Sequence, residues 1–308
     1  MNATHLSDPV LFTRLLVFSI IPFFLIVGLV GNIFVIYIYA RQSQKSNVEA
    51  FILVLAVNDL IGCIFGLPLE MAELYSAIQS EYLCKSYKFV VFAYCVVSSL
   101  ILFTIAVERF RKICCPHGKQ ITPKLRQPLI IFITVISVAL VLPVLFYFEG
   151  FPFIHENKIY MICGCDLRRS PLWYYALATL IIYIMLLLTM TVLYLFVQKT
   201  ITQRFRKRQG KEAASQTRTN QSHTNLVLVS ISILFFVSFS LTLIFFVVYP
   251  YFKDSNLLQI FKVVFYRTWI LNSSLNPMVY GFCNKIFRKS FANIFTRSKS
   301  AFEMEENL

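Results

Sequence analysis

Charge is scarce in this sequence. Of its 308 residues only 14% are Asp, Glu, Lys or Arg, while 57% are hydrophobic, whereas a soluble domain carries roughly 25% charged residues. That much apolar surface exceeds what one water-soluble core can hide, so lipid must be part of the solvent. The eight cysteines lack the paired short spacing of a zinc site. The four histidines, His5, His117, His155 and His223, fall in terminal or loop segments or at a helix end. With no nucleophile–base pair and no metal ligands at membrane depth, an enzyme is excluded. Internal repeats, the mark of transporters, are missing. So is the polar–apolar alternation in runs of about ten that a membrane barrel needs. No cleavable leader is evident either, because the apolar run after Arg14 is too long for a signal-peptide core.

What is present is a series of seven apolar runs, at 15–40, 51–69, 89–107, 129–148, 172–197, 226–249 and 263–282. Each is close to the length a helix needs to cross roughly 30 Å of hydrocarbon. The expected fold is all-α: an integral membrane bundle of seven transmembrane helices over 15–282. A short outer segment, 1–14, should precede it. The net charge of +14 suggests nucleic acid only until its distribution is read. With the N-terminus outside, twenty of the 29 Lys and Arg residues lie in the inner connections, where anionic headgroups attract them. The positive-inside bias therefore predicts a multi-pass plasma-membrane protein, N-terminus out and C-terminus in. Nucleic acid is not an expected partner. The sequon at Asn2 fits an outer, glycosylated end.

After the last run, Phe287, Phe291, Ile294 and Phe295 recur at spacings of three and four among Lys285, Arg288, Lys289 and Arg297. This pattern predicts a short amphipathic eighth helix over 283–297, lying in the inner interface, followed by a cytoplasmic tail, 298–308.

Ionisable and amide groups inside a span are expensive and point to function. Asp59 lies in the second run, Ser98 in the third, and Asn272, Ser273 and Asn276 in the seventh. Asn272 and Asn276, four apart, share a helix face. Ser98 and Arg109, eleven apart, share one about 16 Å apart in depth. One carboxylate among amides and hydroxyls suits either a small cation or an interhelical hydrogen-bond network, and both use the same residues. Pro277 removes a backbone hydrogen bond and frees carbonyls beside these polar groups, giving a segment able to take two arrangements.

These residues stand in an order that resembles the rhodopsin-like (class A) G-protein-coupled receptors over essentially the whole chain. The order is Gly31-Asn32, then LAVNDL with Asp59, Cys84, Glu108-Arg109-Phe110, and NPMVY at Asn276 to Tyr280. The resemblance implies roles. Arg109 would be held by Glu108 at rest and released toward a heterotrimeric G protein on activation. Tyr280 and Tyr194 would swing in to support the open state, with Phe239 as an aromatic toggle beneath the ligand. Asp59, Ser98, Asn272, Ser273 and Asn276 match the family's sodium pocket, so allosteric Na+ is implied and no other cofactor. Cys84 would bond to Cys163 or Cys165 in the second outer loop. Receptor kinases and arrestin are implied partners beside the lipid bilayer.

The chain also departs from the family. Phe110 replaces a tyrosine, Leu186 stands at a proline position, and Phe235, Ser238, Phe239 and Leu241 occupy the sixth-helix motif without its tryptophan and proline. Val91, seven after Cys84, excludes the amine-binding aspartate. Ile270, seven before Pro277, excludes a retinal lysine. Stretches such as LPLEMAELY and MTVLY look like those of neuropeptide receptors. The expected ligand is a short neuropeptide, with a lipid or other small molecule as the alternative and a transporter or channel as a remote one. Glu70, Glu73, Lys88, Val91 and Arg267 would meet the ligand, unless Glu70 or Glu73 simply pairs with Arg267 across the bundle.

Overall fold

The first helix, α1 (Asp8–Ala40), starts ahead of its apolar run, so 8–14, expected to be an outer segment, belongs to the helix in the computed structural model. The structure describes residues 8–75, 78, 80–155, 158–165, 171–206, 212–252, 255–283, 287–288 and 291, and its side chains except those of 8, 151–162, 205, 212–224, 227 and 280–283. A capping box opens α2 (Asn47–Ile61): the Ser46 hydroxyl accepts from the Glu49 N–H, and the Glu49 carboxylate accepts from the Ser46 N–H at 2.8 Å. The same passage continues through a π-helical turn, Gly62–Gly66, where the Leu67 N–H reaches back five residues to the Gly62 carbonyl, and ends in α3 (Leu67–Leu74). Helix α4 spans Glu81–Cys114. Thr122 caps α5 (Pro123–Val141), with Pro123 in the first turn, where its missing N–H costs nothing. The run at 129–148 is thus two helices, because Pro143 ends the first and α6 (Val144–Tyr147) completes it.

An all-α chain was expected, and here the structure differs. Strands β1 (Glu149–His155) and β2 (Lys158–Gly164) form an antiparallel hairpin, with Glu149 opposite Gly164 and His155 opposite Lys158. The segment is rich in Phe, Ile and Tyr and lacks a helical period, and its backbone groups find partners by pairing with each other. Then come α7 (Leu172–Arg206) and α8 (Glu212–Val248).

The seventh passage also differs. The run at 263–282 is not one helix: α9 (Asn256–Phe265) and α10 (Trp269–Cys283) flank a break. Side chains take up the backbone there. The Thr268 hydroxyl lies 2.5 Å from the Ser238 carbonyl and 3.0 Å from that of Phe265, and the Arg267 guanidinium donates to the Val263 carbonyl at 2.9 Å. Among the described residues six helices are each long and apolar enough to cross a membrane, and α9 with α10 makes the seventh passage. Of the amphipathic segment, Phe287 and Phe291 stack at 6.2 Å and Phe291 packs on Phe34 of α1 at 5.0 Å. Residues 284–286, 289–290 and 292–297, the tail 298–308 and Asn2 lie outside the described residues.

Packing is reversed relative to a soluble protein. Phe12, Phe23, Ile26, Ile131 and Phe132 are exposed, while Asn32, Asp59, Ser98, Ser273 and Asn276 are completely buried. Apolar side chains facing outward match hydrocarbon, and polar ones must turn inward to find partners. Helix α1 packs on α2, α9 and α10; α4 packs on α2, α5 and α7; α8 closes the ring between α7 and α10. Close approach relies on small residues, as lipid-embedded helices require. A Cβ on Gly31 would sit 2.5 Å from Pro277 Cβ, and one on Gly66 would sit 2.6 Å from the Trp269 ring. Gly31→Ala is therefore expected to lower stability by about 1–3 kcal/mol through overpacking. Gly118→Ala, in a loop, should leave it unchanged. Thermal unfolding of detergent-purified protein distinguishes the two.

Candidate functional site

At the hairpin end the helices leave a narrow cavity of about 20 Å³, room for about one water molecule. One wall is aromatic: Phe92, Phe148, Phe239, Phe246, Tyr266 and Trp269. Phe92 meets Phe148 and Phe246 at 5.9 Å and Phe239 at 6.4 Å, mostly edge to face, an arrangement the ring quadrupoles favour. Tyr266 stacks on Phe246 at 4.6 Å. Glu70, Tyr87, Lys88, Val91 and Thr242 supply the other wall. The hairpin is tied to α4 by a disulfide between Cys84 and Cys163, 79 residues apart with Cα atoms 5.4 Å apart. Cys163 lies within β2, whereas Cys165 falls just past the strand end, so the strand presents Cys163 to α4.

Four of the five expected ligand residues form one ionic cluster. The Arg267 guanidinium lies 2.8 Å from Glu70 and 3.4 Å from Glu73, and the Lys88 ammonium lies 2.9 Å from Glu73. The Tyr87 hydroxyl donates to Glu70, and Arg14 of α1 donates to the Leu74 carbonyl at 2.7 Å. Glu70 is 1% exposed and Lys88 7%, and such burial is tolerated only because each charge is paired. The pairing of Glu70 and Glu73 with Arg267 across the bundle is thus formed. Glu70, Lys88 and Val91 line the cavity, while Glu73 and Arg267 stand behind it.

Below this cluster, Trp269 meets Tyr94 edge-on at 5.7 Å. The Tyr94 hydroxyl donates to Asp59 Oδ1 at 3.0 Å and accepts from the Asn272 amide at 2.5 Å. Asn276 donates to Asp59 Oδ2 at 2.8 Å. Ser98 instead accepts from Asn58 at 2.9 Å, and the Ser273 hydroxyl bonds the Ile270 carbonyl at 3.0 Å. Of the five residues grouped from the sequence, only Asn276 touches Asp59 directly, and Asn272 reaches it through Tyr94. The carbonyl oxygens of Asn32, Asn272 and Asn276 are buried with no hydrogen bond. A carboxylate amid such acceptors fits a small hard cation, with the Tyr94 hydroxyl as its competitor for Asp59.

At the opposite end of α4, Glu108 and Arg109 form no ion pair. Asn47 donates to Glu108 at 2.8 Å and to the Ile121 carbonyl at 2.6 Å, and adjacent residues on a helix point in different directions. Arg109 Nε is buried without a hydrogen bond. Phe110 contacts Phe196 at 6.1 Å. Tyr194 approaches the Ser232 hydroxyl at 3.4 Å, while Phe239 is wedged against Tyr183 at 5.3 Å. Pro277 lies inside α10, and the Tyr280 side chain is outside the described ones.

Sequence reasoning missed Tyr87, Tyr94 and Asn47. A signal existed for the first two: Tyr87, Val91, Tyr94 and Ser98 recur at spacings of four, three and four, one stripe of α4. Nothing in the sequence marks Asn47.

The chain matches the family "7 transmembrane receptor (rhodopsin family)" over residues 31–280. It is 25% identical to the neuromedin-U receptor 2 of Mus musculus over 304 residues, covering 89% of this chain and 73% of the relative. It is 25% identical to the neuropeptide FF receptor 2 of Mus musculus over 292 residues, 87% and 69% of the two chains. The neuropeptide Y receptor type 4 of Rattus norvegicus is 34% identical over 125 residues, 39% of this chain and 33% of that one.

Removing one member of the buried ion pair should be costly and removing both should not. Arg267→Met is expected to destabilise by about 3–5 kcal/mol, because Glu70 loses its main counter-charge. The double variant Glu70→Gln/Arg267→Met should recover most of that loss. Thermal unfolding and surface expression of both report the difference.

Proposed function

The chain belongs to the rhodopsin family of seven-transmembrane receptors, and from that footing we propose that it converts binding of an extracellular peptide into activation of a heterotrimeric G protein. It is not an enzyme. The observation that carries the reading is the span of the family match, 31–280, from Gly31 through Asp59 and Glu108-Arg109 to the NPMVY segment. The names of its relatives support a peptide as ligand. So does the disulfide-tethered hairpin beside the aromatic cavity. In this reading the cavity end faces outward at the plasma membrane, the N-terminus is extracellular and glycosylated at Asn2, and the basic connections face the cytoplasm. Receptor kinases and arrestin act on that inner face.

Ligand contact with Trp269 and Phe239 would be felt along a continuous track. Trp269 leans on Tyr94, Tyr94 and Asn276 both bond Asp59, and Pro277 follows. A helix lacking one backbone hydrogen bond at Pro277 can change its course there at modest cost, moving Tyr280 toward Tyr194 and Arg109. Outward movement of α8 from α7 would then open Arg109 to the G protein. Asp59, with the Asn272 and Asn276 carbonyl oxygens, would hold Na+ in the resting arrangement, where the ion neutralises the carboxylate.

Two outcomes are expected. In cells carrying promiscuous G-protein reporters and challenged with a peptide library, the wild-type chain responds. Arg109→Ala reaches the surface equally but loses the response; an undiminished response would overturn the coupling role. Replacing NaCl by N-methylglucamine chloride should raise agonist affinity several-fold for the wild type and leave Asp59→Asn unchanged. Equal sodium sensitivity in both would remove the ion from this site.

A further inference from the structure

The charges around the cavity do not balance. Glu70 and Glu73 are each engaged by cations of the protein itself: Arg267 at 2.8 Å on Glu70, Lys88 at 2.9 Å and Arg267 at 3.4 Å on Glu73. Tyr87 adds a hydroxyl to Glu70. Neither carboxylate is left in search of a positive ligand group. A third cation, Lys262 of α9, lies within electrostatic reach of Glu73, Lys88 and Arg267. Among the described residues it forms no ion pair. Its ammonium lies 5.7 Å from the Tyr249 ring and 5.9 Å from that of Tyr266, contacts that are weak beside a charge pair. Tyr266 in turn stacks on Phe246 in the cavity wall. Lys262 therefore stands one ring away from the cavity, at its rim. Among the described residues around the cavity, Arg14, Lys88, Lys262 and Arg267 outnumber Glu70 and Glu73, and Lys262 stands half-buried without a described carboxylate partner, where a charge is costly.

We infer that the ligand carries an acidic group, bound by Lys262 at the rim with Lys88 deeper, on an aromatic or apolar body that packs against the Phe92–Phe246–Tyr266 wall. This deepens the reading of the cavity as the ligand site and rests on it. For a peptide ligand, the matching group is a free C-terminal carboxylate or an acidic side chain near that end, and an amidated terminus is disfavoured.

The test uses a probe pair that differs in charge alone. Purified full-length receptor is titrated with N-acetyl-phenylalanine and with N-acetyl-phenylalaninamide, and thermal stabilisation is followed. The acid should bind at least about tenfold more tightly than the amide, the increment expected of one charge-assisted hydrogen bond. Lys262→Gln should abolish the difference and Lys262→Arg should keep it. Equal binding of acid and amide, or a preference for the acid that survives in Lys262→Gln, would overturn the inference. If Lys262→Gln fails to fold, Lys262→Met, which keeps the apolar stem and removes the charge, takes its place in the same comparison. A signalling arm offers each library peptide as free acid and as amide, with dodecanoic acid alongside. Free acids or dodecanoic acid acting alone support the charge assignment and name its source, and amides acting as well as acids refute it. If no peptide signals in either form while the acid probe still stabilises the receptor, the peptide reading fails and the charge assignment stands.

Discussion

A carboxylate deep in hydrocarbon cannot be left to water, and the arrangement of this bundle follows from that constraint. Asp59 is completely buried. Its two oxygens are met from different helices, Tyr94 of α4 and Asn276 of α10, so α2, α4 and α10 must converge at one depth. Asn32 of α1 joins them by donating to the Ser273 carbonyl at 2.9 Å. Apolar contacts alone discriminate poorly between helix arrangements in lipid, since lipid tails satisfy apolar surface as well as another helix does. Polar groups that have nowhere else to go therefore set the register, and Gly28, Gly31 and Gly66 permit the close approach that lets them meet.

The same rule governs the hairpin end with higher stakes. Glu70, Glu73, Lys88 and Arg267 are held within a few ångströms of one another. Such a cluster contributes less net stability than its Coulomb attraction suggests, since desolvating each group offsets much of the gain. Its value lies in fixing which side chains face the cavity. The cluster also explains why the seventh passage breaks where it does: Arg267 and Thr268 spend their donors on backbone and carboxylate oxygens at the point where a continuous helix would turn them elsewhere.

Most of the helical architecture was legible in the sequence, because each crossing needs a long apolar run and lipid enforces that need. The ends were not. Residues 8–14 are helical although polar groups interrupt them, since helical backbone can continue past the last apolar residue. The β-hairpin was hidden because its fifteen-odd residues follow neither lipid's length rule nor a helical period. In the site, Asp59 and Asn276 stood out as costly groups inside spans. Tyr94 did not, since a tyrosine in an apolar run reads as packing until its hydroxyl is seen to reach a partner. The family resemblance implied that Glu108 holds Arg109, yet Asn47, far away in sequence, holds Glu108. Contacts between distant residues of ordinary type leave no trace in a single sequence.

The wide turn at Gly62–Gly66 has a consequence for recognition. Each residue of an α-helix advances the side-chain direction by about 100°, and a π turn takes up one residue more than its α counterpart. Everything from Leu67 to Leu74 is accordingly rotated by that step relative to an uninterrupted continuation of α2. Glu70 faces the cavity because of this offset. Removing one residue from the turn would swing both acids round the helix axis, so five residues that include two glycines and no charge decide the polarity of a pocket about one turn away.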